Sequence, residues 1–280
     1  MLALLPPSWQ GWVIENVQRG CAPGDIVKQL IEHRVIAPDP AMAAVREAAE
    51  KLKKPLVTAS LPDLQFDGDW AEIDGHRMRR SMSLESPRVA VIEDALTPAE
   101  CASFIELGKE KLRAITVVNA DDGGDIEHEA RRGKFTSFVR GQDDFVRRIE
   151  SRIAKLTSWP VDNGEGFQLI HYGPGDEYRA HYDWFDPALP GSAYHMRAGG
   201  QRVATMIFYL NQPERGGGTQ FPWLSGLTVS AVPGRALYFE NIDGAHAIDQ
   251  RVQHAGMPVE RGEKWIVTKW LRVGANVSAP

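Results

Sequence analysis

His181-Tyr182-Asp183, a lone His254 and, ten residues after it, Lys264 are the side chains of this sequence whose types and spacing suit chemistry. In an extended segment residues two apart share a face. His181 and Asp183 therefore project together, with Tyr182 on the other side. Two imidazoles and a carboxylate would grip one face of an octahedral divalent ion and leave the opposite face open, the facial triad that activates oxygen at non-haem Fe(II). His254 is the candidate third ligand. His246 is its main rival, and His171 and His195 are lesser ones.

The lysine favours His254. Lys264 opens the stretch Trp265–Leu271, which reads as a strand, and along it Lys264, Ile266, Thr268 and Trp270 share a face. A lysine pointing inward from a strand needs an anionic partner, because an unpaired buried ammonium is costly. The distal carboxylate of 2-oxoglutarate would serve. An exposed lysine in the charged stretch Glu260–Lys264 is the competing reading.

The elements that must position these groups lie mostly in the second half. After Trp159 the pattern is strands and turns: Phe167–Tyr172, Ala204–Leu210, Leu227–Ala231, Ala236–Glu240 and Lys264–Arg272, with a tight turn at Pro233-Gly234. Short strands at fairly regular spacing predict a sandwich or barrel. Earlier, Val89–Ile92 reads as a strand, a helix starts at Thr97-Pro98 and runs to Lys111, and Asp144–Leu156 is an amphipathic helix. Asp121–Asp125 and Asp186–Gly200 read as mobile loops, the second near the mouth of the site. Residues 8–54 read as two or three helices, the second ended by Pro38 and Pro40 and the third covering Ala41–Lys54. The expected organisation is a helical region over 1–54, a connecting segment with one or two short strands over 55–87, and a main domain over 88–275.

The chain has 280 residues, 43% hydrophobic and 25% charged, and a net charge of -5, which argues against a general nucleic-acid binder. The basic cluster His76, Arg77, Arg79 and Arg80 reads as a solvated loop. No stretch approaches the roughly 20 apolar residues that span a membrane. Cys21 and Cys101 form no ligand pattern and suit a reducing cytoplasm.

From about Arg88 to Arg272 the chain resembles the prolyl 4-hydroxylase branch of the 2-oxoglutarate/Fe(II) dioxygenases. The stretches that carry the resemblance are LTPAECASFIELGKEKL, FQLIHYGPGDEYRAHYDWF, GGQRVATMIFYLNQPERGGGTQFP, VPGRALYFEN and HAGMPVERGEKWIVTKWLR. It implies a mainly β fold with flanking helices, a double-stranded β-helix (jelly-roll) core with an N-terminal helical extension outside it. It implies iron bound by His181, Asp183 and His254, and 2-oxoglutarate held at its C5 carboxylate by Lys264 with the hydroxyls of Tyr172 and Thr219. Substrate-facing positions match Glu165, Tyr178, Arg202 and Trp270. Where the family has Gly-Gly-Glu-Thr, this chain has Gly216-Gly217-Gly218-Thr219, which puts the surroundings of Thr219 in question.

The implied activity is hydroxylation of an unactivated C–H bond using O2, Fe(II) and 2-oxoglutarate, with ascorbate as an auxiliary reductant and succinate and CO2 as products. No side-chain nucleophile is required. A prolyl residue of a peptide is the simplest substrate. A free or carrier-linked cyclic amino acid is the alternative, with Arg202 pairing its carboxylate and Glu165 its amine. Trp184, Trp223 and Trp265 are expected to be plain core, and Trp270 alone to line the pocket. A metal- or peptide-binding sensor barrel without turnover is the reading from another class; a zinc hydrolase would leave Lys264 unexplained.

Overall fold

The computed structural model describes residues 1–19, 21, 23–52, 61–114, 117–118, 125–126, 131–186, 189–242 and 248–276. Its centre is two antiparallel sheets laid face to face. The larger has nine strands in the order Trp70–Ile73, His76–Glu85, Arg88–Glu93, Ala236–Glu240, Arg202–Tyr209, Lys264–Arg272, Phe167–Tyr172, Lys134–Phe138 and Arg113–Ala114. The smaller orders Leu227–Val229, Thr219–Phe221, His254–Gly256 and Tyr178–His181. This is the expected jelly roll.

Strand alternation builds two cores. Ile170, Ile207, Tyr209, Phe239 and Ile266 point between the sheets, where they meet Phe221 and Val229 of the smaller one. Leu169, Met206, Phe208, Tyr238 and Val267 point outward and are covered by α4 (Pro98–Gly108) and α5 (Asp144–Thr157). The α4 start is a capping box: Thr97 and Glu100 exchange side-chain and backbone hydrogen bonds. Glu100 also takes two hydrogen bonds from Arg152 of α5, at 2.8 and 2.9 Å, locking the helix pair together.

Residues 1–52 form α1 (Pro7–Arg19), α2 (Pro23–Glu32) and α3 (Pro38–Lys51) around their own core of Val13, Ile26, Leu30, Val45 and Ala48. Pro38 does not end the second helix but begins the third. A proline costs nothing in the first helical turn, where its missing N–H has no partner to lose. The helices touch the β core through Asp25, whose Oδ1 accepts the Ile248 N–H at 2.6 Å.

Three expectations need correction. The connecting segment carries two strands, as expected, but His76–Glu85 spans ten residues and pairs with Arg88–Glu93, so both strands belong to the main sheet. The basic cluster therefore lies on a strand and not in a loop; Arg77 stacks on Trp70 and Arg80 on Phe66. The stretch after Asp186 contains α6 (Pro190–Met196), again started by a proline. Of the expected Asp-rich loop, 121–124 lie outside the described residues and Asp125 opens a two-residue strand.

Candidate metal centre

His181 ends one strand of the smaller sheet and His254 begins its neighbour, and the two are direct cross-strand partners. Their rings lie 4.3 Å apart between centroids. Asp183 follows two residues after His181, and the ligand atoms of all three lie within 4.8 Å of one another. His181 Nε2 is 3.6 Å from Asp183 Oδ1, and His254 Nε2 is 3.7 Å from Oδ2. Among the described residues this is the one such group of ligands.

Each ring is oriented by its other nitrogen. His181 Nδ1 lies 2.8 Å from the Arg179 carbonyl and His254 Nδ1 lies 3.2 Å from the Val252 carbonyl. A carbonyl can only accept, so Nδ1 carries the proton and Nε2 is left as the free lone pair. Burial, reinforced by the neighbouring His181, pushes the His254 pKa down to about 4. Burial would raise Asp183, but His254, His181 and Arg202 outweigh it and hold the carboxyl well below the usual range. Neutral imidazoles and an ionised carboxylate are the forms that bind a metal. The donor set fits Fe(II).

A second layer was not foreseen. Thr205 Oγ1 donates to Asp183 Oδ2 at 2.8 Å and accepts from Asn241 Nδ2 at 3.1 Å, all three groups being buried. Thr205 lies in an expected strand, where it shares a face with Ile207 and Tyr209; strand parity was the signal that could have found it. Replacing Thr205 by valine keeps the shape and removes the donor. Fe(II) affinity is expected to fall by about tenfold, the lower end for an orienting partner of a ligand. Metal titration of tryptophan fluorescence checks this; unchanged affinity would contradict it.

Among the alternative histidines, His171 lies outside the cluster, held by Glu263 at 2.8 Å and packed at a tilt against Trp265. His195 sits on α6 against Phe185. His246 lies outside the described residues.

A narrow cavity runs from the triad to Lys264, lined along the strand by Lys264, Ile266, Thr268 and Trp270, the expected face. Lys264 is 1% exposed and pairs in register with Tyr172, its ammonium 4.4 Å from that ring centroid. Among the described residues it has neither an ion pair nor a hydrogen bond, and burial alone pulls its pKa down to about 7. Tyr172 is pushed up to about 12 by burial and keeps its proton. Thr219 Oγ1 accepts from the Tyr209 hydroxyl at 2.7 Å, so its own proton is available as a donor. An ammonium and two hydroxyls at the end of a cavity that begins at the metal ligands fit a dicarboxylate chelator.

The missing glutamate is accommodated. Gly216 and Gly217 have φ of +78° and +72°, and a Cβ on Gly216 would lie 2.3 Å from the Pro258 carbonyl oxygen. The turn thus depends on these two glycines and leaves Thr219 in place. A side chain at Gly218 would meet Thr228 Cγ2 at 2.9 Å.

Beyond the triad an open cleft of about 720 Å³ leads to solvent. Arg131, Tyr178, Asp183 and Trp270 line both this cleft and the narrow cavity, so the two are continuous. Tyr178 stacks on His181, with centroids 3.4 Å apart. Trp270 lies under Arg202, 3.9 Å from Cζ. Trp184 and Tyr182 also line the cleft. Trp223 is exposed instead of core, at 66%.

Glu165 and Arg202 do line the cleft, but not as independent groups. Glu165 receives Arg202 Nε and Nη2 at 2.6 and 2.9 Å, and Arg272 Nε at 2.6 Å. Burial would raise its pKa; the two guanidiniums outweigh this and hold it low. Glu165 is thus not a lone carboxylate facing a substrate amine: three hydrogen bonds from two arginines already hold it. Arg131 and Arg272 were not foreseen, because each gains its place only from neighbours distant in sequence.

The comparisons with known proteins agree with this geometry. Residues 167–272 match the family model of the 2OG-Fe(II) oxygenase superfamily. Among curated proteins, the chain is 38% identical over 205 residues to the probable prolyl 4-hydroxylase 10 of Arabidopsis thaliana, covering 67% of this chain and 69% of that one. It is 37% identical over 221 residues to prolyl 4-hydroxylase 5 of the same plant, covering 72% and 74%. Among solved structures, the viral collagen prolyl hydroxylase of Paramecium Bursaria Chlorella virus-1, in its 2OG complex, superposes with a TM-score of 0.51 at 28% identity, covering 66% of this chain and 95% of that one. With triad, buried lysine and sequence relatives in accord, the chain belongs to the prolyl 4-hydroxylase-like branch of the Fe(II)/2-oxoglutarate-dependent dioxygenases.

Proposed function

We propose that this protein hydroxylates a prolyl residue within a peptide or protein, releasing succinate and CO2. His181, Asp183 and His254 hold Fe(II), and Lys264, Tyr172 and Thr219 hold the distal carboxylate of 2-oxoglutarate. When bound, iron and 2-oxoglutarate together supply the oxidising power that places one oxygen atom from O2 into a C–H bond. The protein's part is to orient the substrate ring over the open metal face and to keep water out. Tyr178, Arg202 and Trp270 border that face; Trp270 offers a flat surface to a pyrrolidine ring. Glu165 acts through Arg202 and Arg272, holding both guanidiniums in place.

The observation that carries the peptide reading is the open cleft of about 720 Å³ beyond the triad, with room for the residues that flank a target proline. The engagement of Glu165 by Arg202 and Arg272 agrees with it, since this carboxylate is not held ready for a free substrate ammonium. The buried free thiols Cys21 and Cys101 support a reducing, cytoplasmic setting.

Succinate release and product mass should be compared for proline-containing peptides and free proline. Turnover of peptides with gain of one oxygen is expected. Activity confined to free amino acids would reject the peptide reading.

A further inference from the structure

We infer that the helical unit of residues 1–52 braces the metal centre, with Asp25 as its positioning residue. Asp25 fixes the backbone at the start of residues 248–252, and that segment orients two of the three metal ligands, His254 and Asp183. The inference uses the metal assignment but not the identity of the substrate.

The apolar side chains of the helical unit gather in a core separate from the two cores of the sheets. What reaches across is charge. Asp25 stands in the first turn of α2, and its Oδ1 accepts the Ile248 N–H at 2.6 Å. A hydrogen bond to an ionised acceptor is roughly twice as strong as a neutral one. One turn further along α2, Lys28 acts on Asp249. Burial would raise that carboxyl, but Arg251, seconded by Lys28, outweighs it and holds it below the ordinary value.

Two short routes lead from this segment to the ligands. The first runs through Asn241. Ile248 bridges to Ile242, and the Asp249 N–H donates to the Asn241 carbonyl at 3.1 Å. Asn241 is buried, and its Nδ2 donates to Thr205 Oγ1, which in turn donates to Asp183 Oδ2. The second route runs along the chain. Asp249 caps the short helical turn Gln250–Val252, its Oδ1 accepting the Arg251 N–H at 2.9 Å. Val252 ends that turn, where a carbonyl lacks a donor within the helix, and its oxygen accepts from His254 Nδ1 at 3.2 Å.

A turn of three residues does not hold its shape alone. Its start is fixed from outside, by Arg251 spanning Asp249 and Ser86 on one side and by Asp25 at Ile248 on the other. Without the Asp25 acceptor the segment gains freedom, and both the His254 ring and the Asp183 carboxylate lose part of their orientation. His181 lies outside both routes, because its Nδ1 is held by the Arg179 carbonyl.

The test uses the full chain as wild type, Asp25→Ala and Asp25→Asn. Asparagine keeps an oxygen at the acceptor position, and alanine removes it. Fe(II) affinity is read anaerobically by tryptophan fluorescence. Exchange of the Ile248 amide is read by mass spectrometry, with circular dichroism as the control for the helices. Asp25→Ala is expected to weaken Fe(II) binding by about fivefold, the low end for coupling between distinct sites. Asp25→Asn should fall between alanine and wild type, since a neutral acceptor makes the weaker bond. Coupling is reciprocal, so Fe(II) should slow exchange at Ile248 in the wild type, and do so less in Asp25→Ala. Should alanine unfold the helices, asparagine and the metal-dependent exchange of the wild type decide alone.

Unchanged Fe(II) affinity in Asp25→Ala, with the helices folded or not, would reduce the unit to a cover and overturn the inference. So would Asp25→Asn binding as weakly as alanine, or wild-type exchange at Ile248 that ignores the metal. A wild-type chain that binds no Fe(II) would reject the brace and the metal assignment together. No turnover is read, so a failure of peptide hydroxylation rejects the proposed activity and leaves the brace standing.

Discussion

Asp183→Ala is expected to lower Fe(II) affinity by more than about 100-fold and to abolish succinate formation, while the chain stays folded. Asp183 is the one anionic ligand of the triad, and its loss leaves two neutral imidazoles that hold a divalent ion weakly. The bound exceeds that for Thr205→Val because removing a ligand costs more than removing the group that orients it. Folding is preserved because the contacts around Asp183 do not all depend on its carboxylate. Arg202 Nη1 reaches the Asp183 backbone carbonyl at 3.2 Å, and Thr205 Oγ1 still accepts from Asn241 Nδ2 at 3.1 Å. Metal content after dialysis, with circular dichroism as the folding control, checks this. A variant that retains stoichiometric iron would remove Asp183 from the ligand set.

The second large effect is at Lys264. Lys264→Met keeps the length and apolar volume of the side chain and removes the charge. The 2-oxoglutarate concentration for half-maximal turnover is expected to rise by about 100-fold or more, since one partner of a buried ion pair is left without the other. The pH dependence follows from the same burial. With its pKa at about 7 in the free protein, Lys264 must be protonated to receive a carboxylate, which raises its pKa in the complex. The dissociation constant of 2-oxoglutarate should therefore be flat below pH 7. Above pH 7 it should rise by up to about tenfold per unit, until the raised pKa of the complex is reached. The sign for stability is opposite to that of an ion-paired lysine. Without the ligand, the folded state binds this proton less tightly than the unfolded chain, so stability falls as pH drops from about 10.5 to about 7. Calorimetric titration across this range checks both statements, and the methionine variant should show no slope from this residue. A pH-independent affinity in the wild-type protein would contradict the assignment.

The metal centre was legible in the sequence because its signals are local. His181 and Asp183 are two apart, and Lys264 shares strand parity with Trp270, so a period of two places each pair without knowledge of the fold. His254 required the family pattern, since only the pairing of two strands distant in sequence sets it opposite His181. The cluster of Glu165, Arg202 and Arg272 was not legible for the same reason. Arg202 and Arg272 are cross-strand partners at the ends of neighbouring strands, and Glu165 lies just before the strand on the far side. Two guanidiniums facing each other demand the carboxylate between them, and neither strand alone predicts that. The helix starts at Pro38 and Pro190 were not legible because proline signals a break or a loop as readily as a first helical position, where it is tolerated. The two cores, by contrast, follow from alternation alone once the strands are known.

The central claim is that one continuous cavity joins the triad, Lys264 and a peptide cleft into a single oxygenating site. Anaerobic addition of Fe(II) and 2-oxoglutarate, followed by a proline-containing peptide and then a pulse of O2, tests it most directly. The predicted result is a weak visible charge-transfer band on chelation, absent in Asp183→Ala. On oxygen addition the band should be consumed, with one succinate formed for each oxygen atom gained by the peptide. No band, or succinate formed without oxygen in any peptide or amino acid offered, would contradict the account.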